Sequence, residues 1–223
     1  MTVASSTVEE SITTFLTHCH RRQYPAKASI IRQGDPAGEL YYIISGSVTV
    51  LLEDDKGHEI VLAYLNPGDF IGEIGLFNAD ASRTALVRAR APSEIAQISY
   101  KKLRALTELY PDLIIAMTSQ IARRLRNTNR KLGDLAFMDV YGRVARTLLD
   151  LCEQPDAMTH PDGMQIRVTR QELARLVGCS REMVGKVLKD MEEQKHIEVS
   201  GKNIVVLGVL PKSARAASEL AES

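Results

Sequence analysis

The hydrophobic period of this chain changes near residue 100, and that change limits the folds open to it. Before it, apolar residues come in short runs cut by turn formers; after it, they recur every three to four positions. A chain that switches in this way builds a β domain first and a helical domain second, an α+β class. Strands are expected at residues 30–31, 40–44, 47–52, 60–65, 85–90 and 95–99. Between them stand Gly34-Asp35-Pro36, Ser45-Gly46, Asp55-Lys56-Gly57 and Asn66-Pro67-Gly68-Asp69. Short strands at such close spacing fit a small barrel or roll. A weak helix over residues 8–18 precedes them.

The helical part opens with a short segment at residues 101–108. Pro111 then starts a helix that runs to about residue 136. Ile114, Met117, Ile121, Leu125, Leu132 and Leu135 recur at spacings of three, four, four, seven and three, close to a heptad seam. Arg123, Arg124, Arg126 and Lys131 fall on the other faces. At ~1.5 Å per residue the helix spans about 39 Å. An exposed helix of that length needs a cover, either a second copy or its own domain. Thr128 lies on the seam with Asn129 beside it. These polar groups either set register or touch something bound near a dimer axis.

Phe137 to Val140 marks a hinge, with Phe137 and Asp139 its key residues. Asp139 suits the N-cap of a helix over residues 140–153. A loop over 154–163 leads to a strand at 165–168. Thr169 then caps a helix containing Leu173, Ala174, Leu176 and Val177, and Gly178 supplies the turn. Ser180 caps a second helix whose apolar face is Val184, Val187, Leu188 and Met191. The small Ala174 and the glycine four residues later give the spacing of a helix-turn-helix. Arg181, Glu182, Gly185, Lys186 and Lys189 share the outward face, where such helices meet base edges in double-stranded DNA. The alternative for any one of these charges is a solvated helix face. Thr169, Arg170, Gln171 and Ser180 are further candidates for DNA contact. Residues 197–200 and 204–207, joined by Gly201-Lys202-Asn203, form a hairpin as in winged variants. The division expected is 1–110 for the roll with its N-terminal helix, 111–137 for a dimerisation helix and 138–210 for the winged domain. The tail, 211–223, reads as a frayed helix or disordered.

Charge tests the nucleic-acid reading. Lys plus Arg equals Asp plus Glu at 28 each, so any DNA affinity must come from a local patch. The hydrophobic fraction of 44% is enough for real cores. Cys19, Cys152 and Cys179 are an odd, scattered set, which points to a reducing cytoplasm rather than a disulfide framework. His18-Cys19-His20, read as strand, puts the histidines on one face and the cysteine on the other, and no second ligand pair follows. No metal is expected. Neither a leader-like segment nor an apolar run of ~20 residues is present, so no membrane partner is expected.

The remaining constellation is Gly68-Asp-Phe-Ile-Gly-Glu-Ile-Gly-Leu-Phe with Ser82-Arg83-Thr84-Ala85. Gly72 and Gly75 bracket Glu73 where a strand turns into a short helix, and free backbone amides there suit an anion. Arg83 can fork onto two phosphate oxygens. Thr84 adds a hydroxyl, and Glu73 can accept from a ribose 2′-hydroxyl. One phosphate, one cation, one hydroxyl and one carboxylate fit a cyclic mononucleotide. They do not fit a triphosphate, which would want a Gly-rich loop ending Lys-Ser or Lys-Thr. A plain ion pair between Glu73 and Arg83 is the competing reading.

With these motifs in place, the chain resembles the Crp/Fnr family of bacterial transcription regulators. The resemblance covers about residues 12–207. It rests on His18-Cys-His, Leu40-Tyr-Tyr-Ile, Gly68-Asp-Phe-Ile-Gly-Glu, Ile98-Ser-Tyr-Lys-Lys, the segment from Gln154 to Ile166, and Val177-Gly-Cys-Ser-Arg-Glu. It implies a jelly-roll cyclic-nucleotide-binding domain, a dimerisation helix and a winged helix-turn-helix. Gly72, Glu73, Arg83 and Thr84 would hold the ribose-phosphate of cyclic AMP. Thr128, with residue 129 of a second copy, would reach the adenine of this allosteric effector. Arg181, Glu182 and Lys186 would read TGTGA-like half-sites. RNA polymerase would be met by three patches: Thr159 and His160 to Gly163; His20, Arg22 and Lys102; and the acidic loop 53–59. Three departures stand out. Thr84 replaces a frequent Ser and keeps the hydroxyl. Asn129 replaces a hydroxyl residue, which leaves nucleotide preference open. Lys186 replaces Arg and loses the two-pronged fork, so discrimination at one base should weaken. Some relatives sense cyclic di-GMP, haem or oxygen through an iron–sulfur cluster. No N-terminal cysteine cluster is present, and the intact Glu73, Arg83 and Thr84 set favours a cyclic mononucleotide. An enzyme is disfavoured, since neither metal-ligand spacing nor a nucleophile–base pair is found. A regulatory subunit of another effector is disfavoured by the helix-turn-helix.

Overall fold

The computed structural model describes residues 7–77 and 82–210. The chain forms two compact units, Met1–Asn129 and Arg130–Ser223. The tail expected to be frayed or disordered lies outside the described residues.

The first unit opens with α1 (Val8–Thr17), closed at its start by a capping box between Thr7 and Glu10. Eight strands follow: β1 (His20–Tyr24), β2 (Ser29–Ile31), β3 (Glu39–Ser45), β4 (Val48–Glu53), β5 (Glu59–Leu65), β6 (Phe70–Ile71), β7 (Leu86–Ala89) and β8 (Ser93–Ser99). They form two four-stranded antiparallel sheets in the orders β1-β8-β3-β6 and β2-β7-β4-β5. The crossing order is that of a jelly roll. Period-two alternation explains the layers. Along β3, Tyr41 and Ile43 enter the core between the sheets, with Ile31, Val48, Leu65, Ile71, Val87 and Ile95. Leu40 and Tyr42 face the other way, into a second core under the helices with Phe15, Phe70, Leu103, Leu113 and Met117. Both faces of β3 are covered, so it reads as an unbroken apolar run. Phe15, Tyr42 and Phe70 meet edge to face with ring centroids 5.0–6.0 Å apart.

Helix α2 (Tyr100–Leu109) starts at the Ser99 cap, and α3 (Asp112–Phe137) follows. The expected heptad seam of α3 is corrected at its N-terminal end. Met117 is only 1% exposed and belongs, with Leu113, to the roll's own core. Ile114 is packed against that core as well. Leu125, Leu132 and Leu135 remain 50–66% exposed. Two strands escape the sequence reading: β1 and, in the second unit, Met158–His160. His18 is the C-cap of α1 rather than a strand residue, so the alternation assumed for His18-Cys19-His20 does not hold.

The second unit contains α4 (Val140–Cys152), β9 (Met158–His160), β10 (Gly163–Arg167), α5 (Arg170–Val177), α6 (Arg181–Glu193), β11 (Ile197–Ser200) and β12 (Asn203–Leu207). Its sheet runs β11-β12-β10-β9, and α4 packs against both α5 and α6. Each expected cap forms. Asp139 accepts from Gly142 N at 2.8 Å, Thr169 from Glu172 N at 3.1 Å and Ser180 from Met183 N at 3.1 Å. Gly178 ends α5 in the left-handed region at φ 73°, where a β-carbon is strained.

Candidate ligand cavity and nucleic-acid interface

The ligand candidates converge. β6 ends at Ile71, Gly72 turns at φ 83°, and Glu73 begins a single 3₁₀ turn, Glu73–Leu76. A cavity beside this turn is lined by Gly72, Glu73, Gly75, Ser82, Arg83, Thr84 and Arg124, with an apolar wall that includes Val50, Leu65 and Val87. Glycine at 72 is needed twice. Its φ disfavours other residues, and a β-carbon there would collide with Arg83 Nη1.

Glu73 does not pair with Arg83, which removes the plain ion-pair reading. Glu73, 6% exposed, accepts from Arg124 Nη1 at 2.7 Å. Arg83 is 8% exposed, yet its partners among the described residues are neutral. It donates to Glu39 O at 2.8 Å, Tyr100 Oη at 3.1 Å and Gly72 O at 3.4 Å. Its guanidinium also lies 5.5 and 5.9 Å from the ring centres of Tyr41 and Tyr100. Tyr100 in turn donates to Gly72 O. Burial pushes the Tyr100 phenol above its ordinary pKa, against the pull of Arg83, so the hydroxyl keeps its proton.

Sequence reasoning missed Arg124 and Tyr100 as site residues. Arg124 belongs to a stripe on α3 that docks on the roll. Gln120 accepts from Phe70 N at 2.9 Å and donates to Gly68 O at 2.8 Å; Arg124 donates to Phe70 O at 2.6 Å; Arg123 meets Asp69 at 2.9 Å. Arg124 Nε is buried without a hydrogen-bond partner. One turn further on, Thr128 and Asn129 are exposed and do not line the cavity; Thr128 Oγ1 donates back to Arg124 O at 3.0 Å.

On the second unit, α6 presents Arg181, Glu182, Lys186 and Lys189 to solvent, while Val184, Val187, Leu188 and Met191 are buried. The Glu182 carboxyl sits below its ordinary pKa, first through its own backbone N–H and then through the Ser180 hydroxyl, so it stays ionised. Arg170 and Gln171 are exposed at the start of α5, beside half-buried Thr169. Phe137, 90% exposed, is the last residue of α3, and Asp139 caps α4. The polymerase candidates are spread over both units. His20 and Arg22 lie on the β1 edge and Lys102 on α2. Thr159 and His160 are on β9, with His160 opposite Gly163 of β10. In the 53–59 loop, Asp54 accepts from Lys56 N, His58 N and the His58 ring. Among the described residues no three His, Cys, Asp or Glu side chains group as metal ligands, and no helix is long and apolar enough to cross a membrane.

A jelly roll with a cavity lined by Arg83 and Arg124, followed by a winged helix-turn-helix, defines a ligand-binding, DNA-binding protein. The comparisons name the family. Residues 21–110 match the cyclic nucleotide-binding domain and residues 142–209 the Crp-like helix-turn-helix domain. The chain is 60% identical over 196 residues to the cAMP-activated global transcriptional regulator Vfr of Pseudomonas aeruginosa, covering 86% of this chain and 92% of that one. It is 53% identical over 208 residues to the cAMP-activated regulator CRP of Salmonella typhimurium, covering 93% and 99%. The solved structure of CLP, a c-di-GMP responsive global regulator of Xanthomonas campestris, is 48% identical with a TM-score of 0.84, covering 90% and 100%. The chain belongs to the Crp/Fnr family. Its activity is DNA-binding transcription regulation and not catalysis.

Proposed function

We propose that this regulator is a homodimer switched on by cyclic AMP. The observation that carries the ligand reading is Arg83: a nearly buried guanidinium held only by neutral partners among the described residues. A buried cation without a counter-charge is costly, and a cyclic phosphate in the cavity supplies one. Gly72, Glu73, Arg83 and Thr84 then hold the ribose-phosphate, with Arg124 beside them. Thr128 and the partner subunit's Asn129 meet the adenine. Exposed Leu125, Leu132 and Leu135 on α3 support a second copy as cover, and Gly133 leaves open space for its close approach.

Arg181, Glu182 and Lys186 read base edges of TGTGA-like half-sites, and Thr169, Arg170, Gln171 and Ser180 meet the DNA nearby. Lys186 reads its base less stringently than Arg181 does. RNA polymerase is met through Thr159, His160 and Gly163, through His20, Arg22 and Lys102, and through the 53–59 loop. Ligand favours the state in which the two reading helices stand ~34 Å apart, one DNA turn, with Phe137 and Asp139 as the hinge. A ~100-fold preference of ligand for that state supplies about 2.7 kcal/mol. The protein works in the cytoplasm.

A second reading has its own support. The CLP structure is of a c-di-GMP responsive regulator, so cyclic di-GMP is the rival effector. Calorimetric titration with cyclic AMP, cyclic GMP and cyclic di-GMP separates the two. Cyclic AMP is expected to bind and to raise affinity for a TGTGA-palindrome duplex, measured by fluorescence anisotropy. Arg83→Leu should lose that stimulation while remaining a folded dimer by sedimentation. Full stimulation in the variant contradicts the assignment.

A further inference from the structure

Helix α6 carries a glycine in its middle, Gly185. A glycine inside a helix is unfavourable relative to alanine, so such a position asks for a reason. Gly142 of α4 has one inside the protein, because a β-carbon there would come within 2.8 Å of Met138 Cε and 3.2 Å of Asp139 Oδ1. Gly185 has none. It is not among the residues at positive φ, and a β-carbon built on it meets no heavy atom within 4 Å. The fold would accept alanine, and the helix would gain by it.

Its position supplies the reason. At 100° per residue, Gly185 falls between Arg181 and Lys189, with Glu182 and Lys186 beyond. It is the one bare position on a face whose other members are long and charged. Resting on the assignment of α6 as the DNA-reading helix, we infer that Gly185 is the point of closest approach between that helix and the floor of the groove. Without a side chain there, the backbone sits deep enough for the short reach of Glu182 and the fork of Arg181 to meet base edges. A β-carbon adds about 1.5 Å at the contact point, and hydrogen bonds stretched by that much are lost. Phosphate contacts, made by long flexible side chains, tolerate the lift. A side chain at 185 therefore removes sequence reading and leaves general DNA affinity.

The test takes a duplex enriched from a random pool by the parent protein at saturating cyclic AMP, with a scrambled duplex as reference. Parent, Gly185→Ala and Gly185→Leu are compared by anisotropy and by thermal unfolding. Gly185→Ala should melt higher than the parent, bind the enriched duplex at least tenfold more weakly and bind the scrambled duplex within twofold. Gly185→Leu should lose more of the specific affinity. Three results overturn the inference: undiminished specific binding by Gly185→Ala, equal losses on both duplexes, or a lowered melting temperature for Gly185→Ala. A pool in which the parent enriches nothing sinks the assignment of α6 itself, and this inference with it.

Discussion

Replacing Tyr100 by phenylalanine tests how the ligand site is held. The hydroxyl accepts from Arg83 Nη1 at 3.1 Å and donates to Gly72 O. The ring stays, and so does its packing; a β-carbon at Gly75 would come within 2.6 Å of both Ala37 Cβ and Tyr100 Oη. The loss is therefore two hydrogen bonds, one of them to a charged group. Arg83 keeps Glu39 O at 2.8 Å, but its remaining bond to Gly72 O is long at 3.4 Å. Bonds to charged groups contribute about 1.5–3 kcal/mol and neutral ones about 0.5–1.5, so a total of about 2–4.5 kcal/mol is at stake. Part is lost without ligand and lowers the melting temperature by about 3–5 °C. The rest, from an Arg83 no longer aimed, weakens cyclic AMP binding by about tenfold, equivalent to ~1.4 kcal/mol. Titration calorimetry and thermal unfolding read the two parts separately. The phenol keeps its proton at neutral pH, so the affinity loss should be constant between pH 6 and 8. A variant that melts lower but binds cyclic AMP with unchanged affinity refutes the positioning role and leaves Tyr100 a packing residue.

Three further outcomes follow from single observations. Leu132→Asp on the exposed half of α3 should leave both units folded and convert the dimer to monomer in sedimentation velocity; a persistent dimer would place the interface elsewhere. Arg130 forks onto Asp150 at 2.8 and 3.1 Å, but both are more than a third exposed. Asp150→Asn should thus lower the stability of the second unit in denaturant unfolding by no more than about 1 kcal/mol, and the swap Arg130→Asp with Asp150→Arg should recover most of it. Burial pushes the Cys19 thiol up to about 12 from 9.0, with Arg21 pulling weakly the other way. At pH 8 its thiolate should be far scarcer than that of an ordinary cysteine, and its labelling correspondingly slow by peptide mass spectrometry. The sign extends to stability. The folded thiol keeps a proton that the unfolded one gives up above pH 9, so this contribution is full below that pH and declines as pH climbs towards 12.

What could be read in the sequence depended on where each residue's partner lay. Caps were legible because the partner is three residues away: Asp139, Thr169 and Ser180 each accept from the third backbone N–H onward. Strands buried on one or both faces, such as β3 and β5, announced themselves by their apolar content. Strand β1 did not. Its first four residues are exposed, and only its ladder with β8 makes it a strand. β9 is a short edge strand of the same kind. In the ligand site, Glu73 stood out between Gly72 and Gly75, and Arg83 beside the hydroxyl of Thr84. Arg124 did not, because its partner Glu73 is 51 residues away and depends on how α3 docks.

The docking of α3 also decides how the rest of the site must be completed. Leu113, Met117, Gln120 and Arg124 lie three or four residues apart, which reads from sequence like one row of a coiled-coil seam. Two unpaired backbone groups on the roll break the tie. Phe70 N and Gly68 O need partners, and Gln120 satisfies both while Arg124 takes Phe70 O. That half of the helix is therefore committed to its own roll. Only the half carrying Leu125, Leu132 and Leu135 remains for a second copy, and Thr128 and Asn129 stand within it, outside the cavity. Contact between these two residues and a bound nucleotide is then inseparable from dimerisation. A Leu132→Asp monomer should bind cyclic AMP more weakly than the parent, although every residue lining the cavity is intact. Equal affinity in monomer and dimer would mean that one roll holds the whole ligand, and that Thr128 and Asn129 serve the helix seam alone.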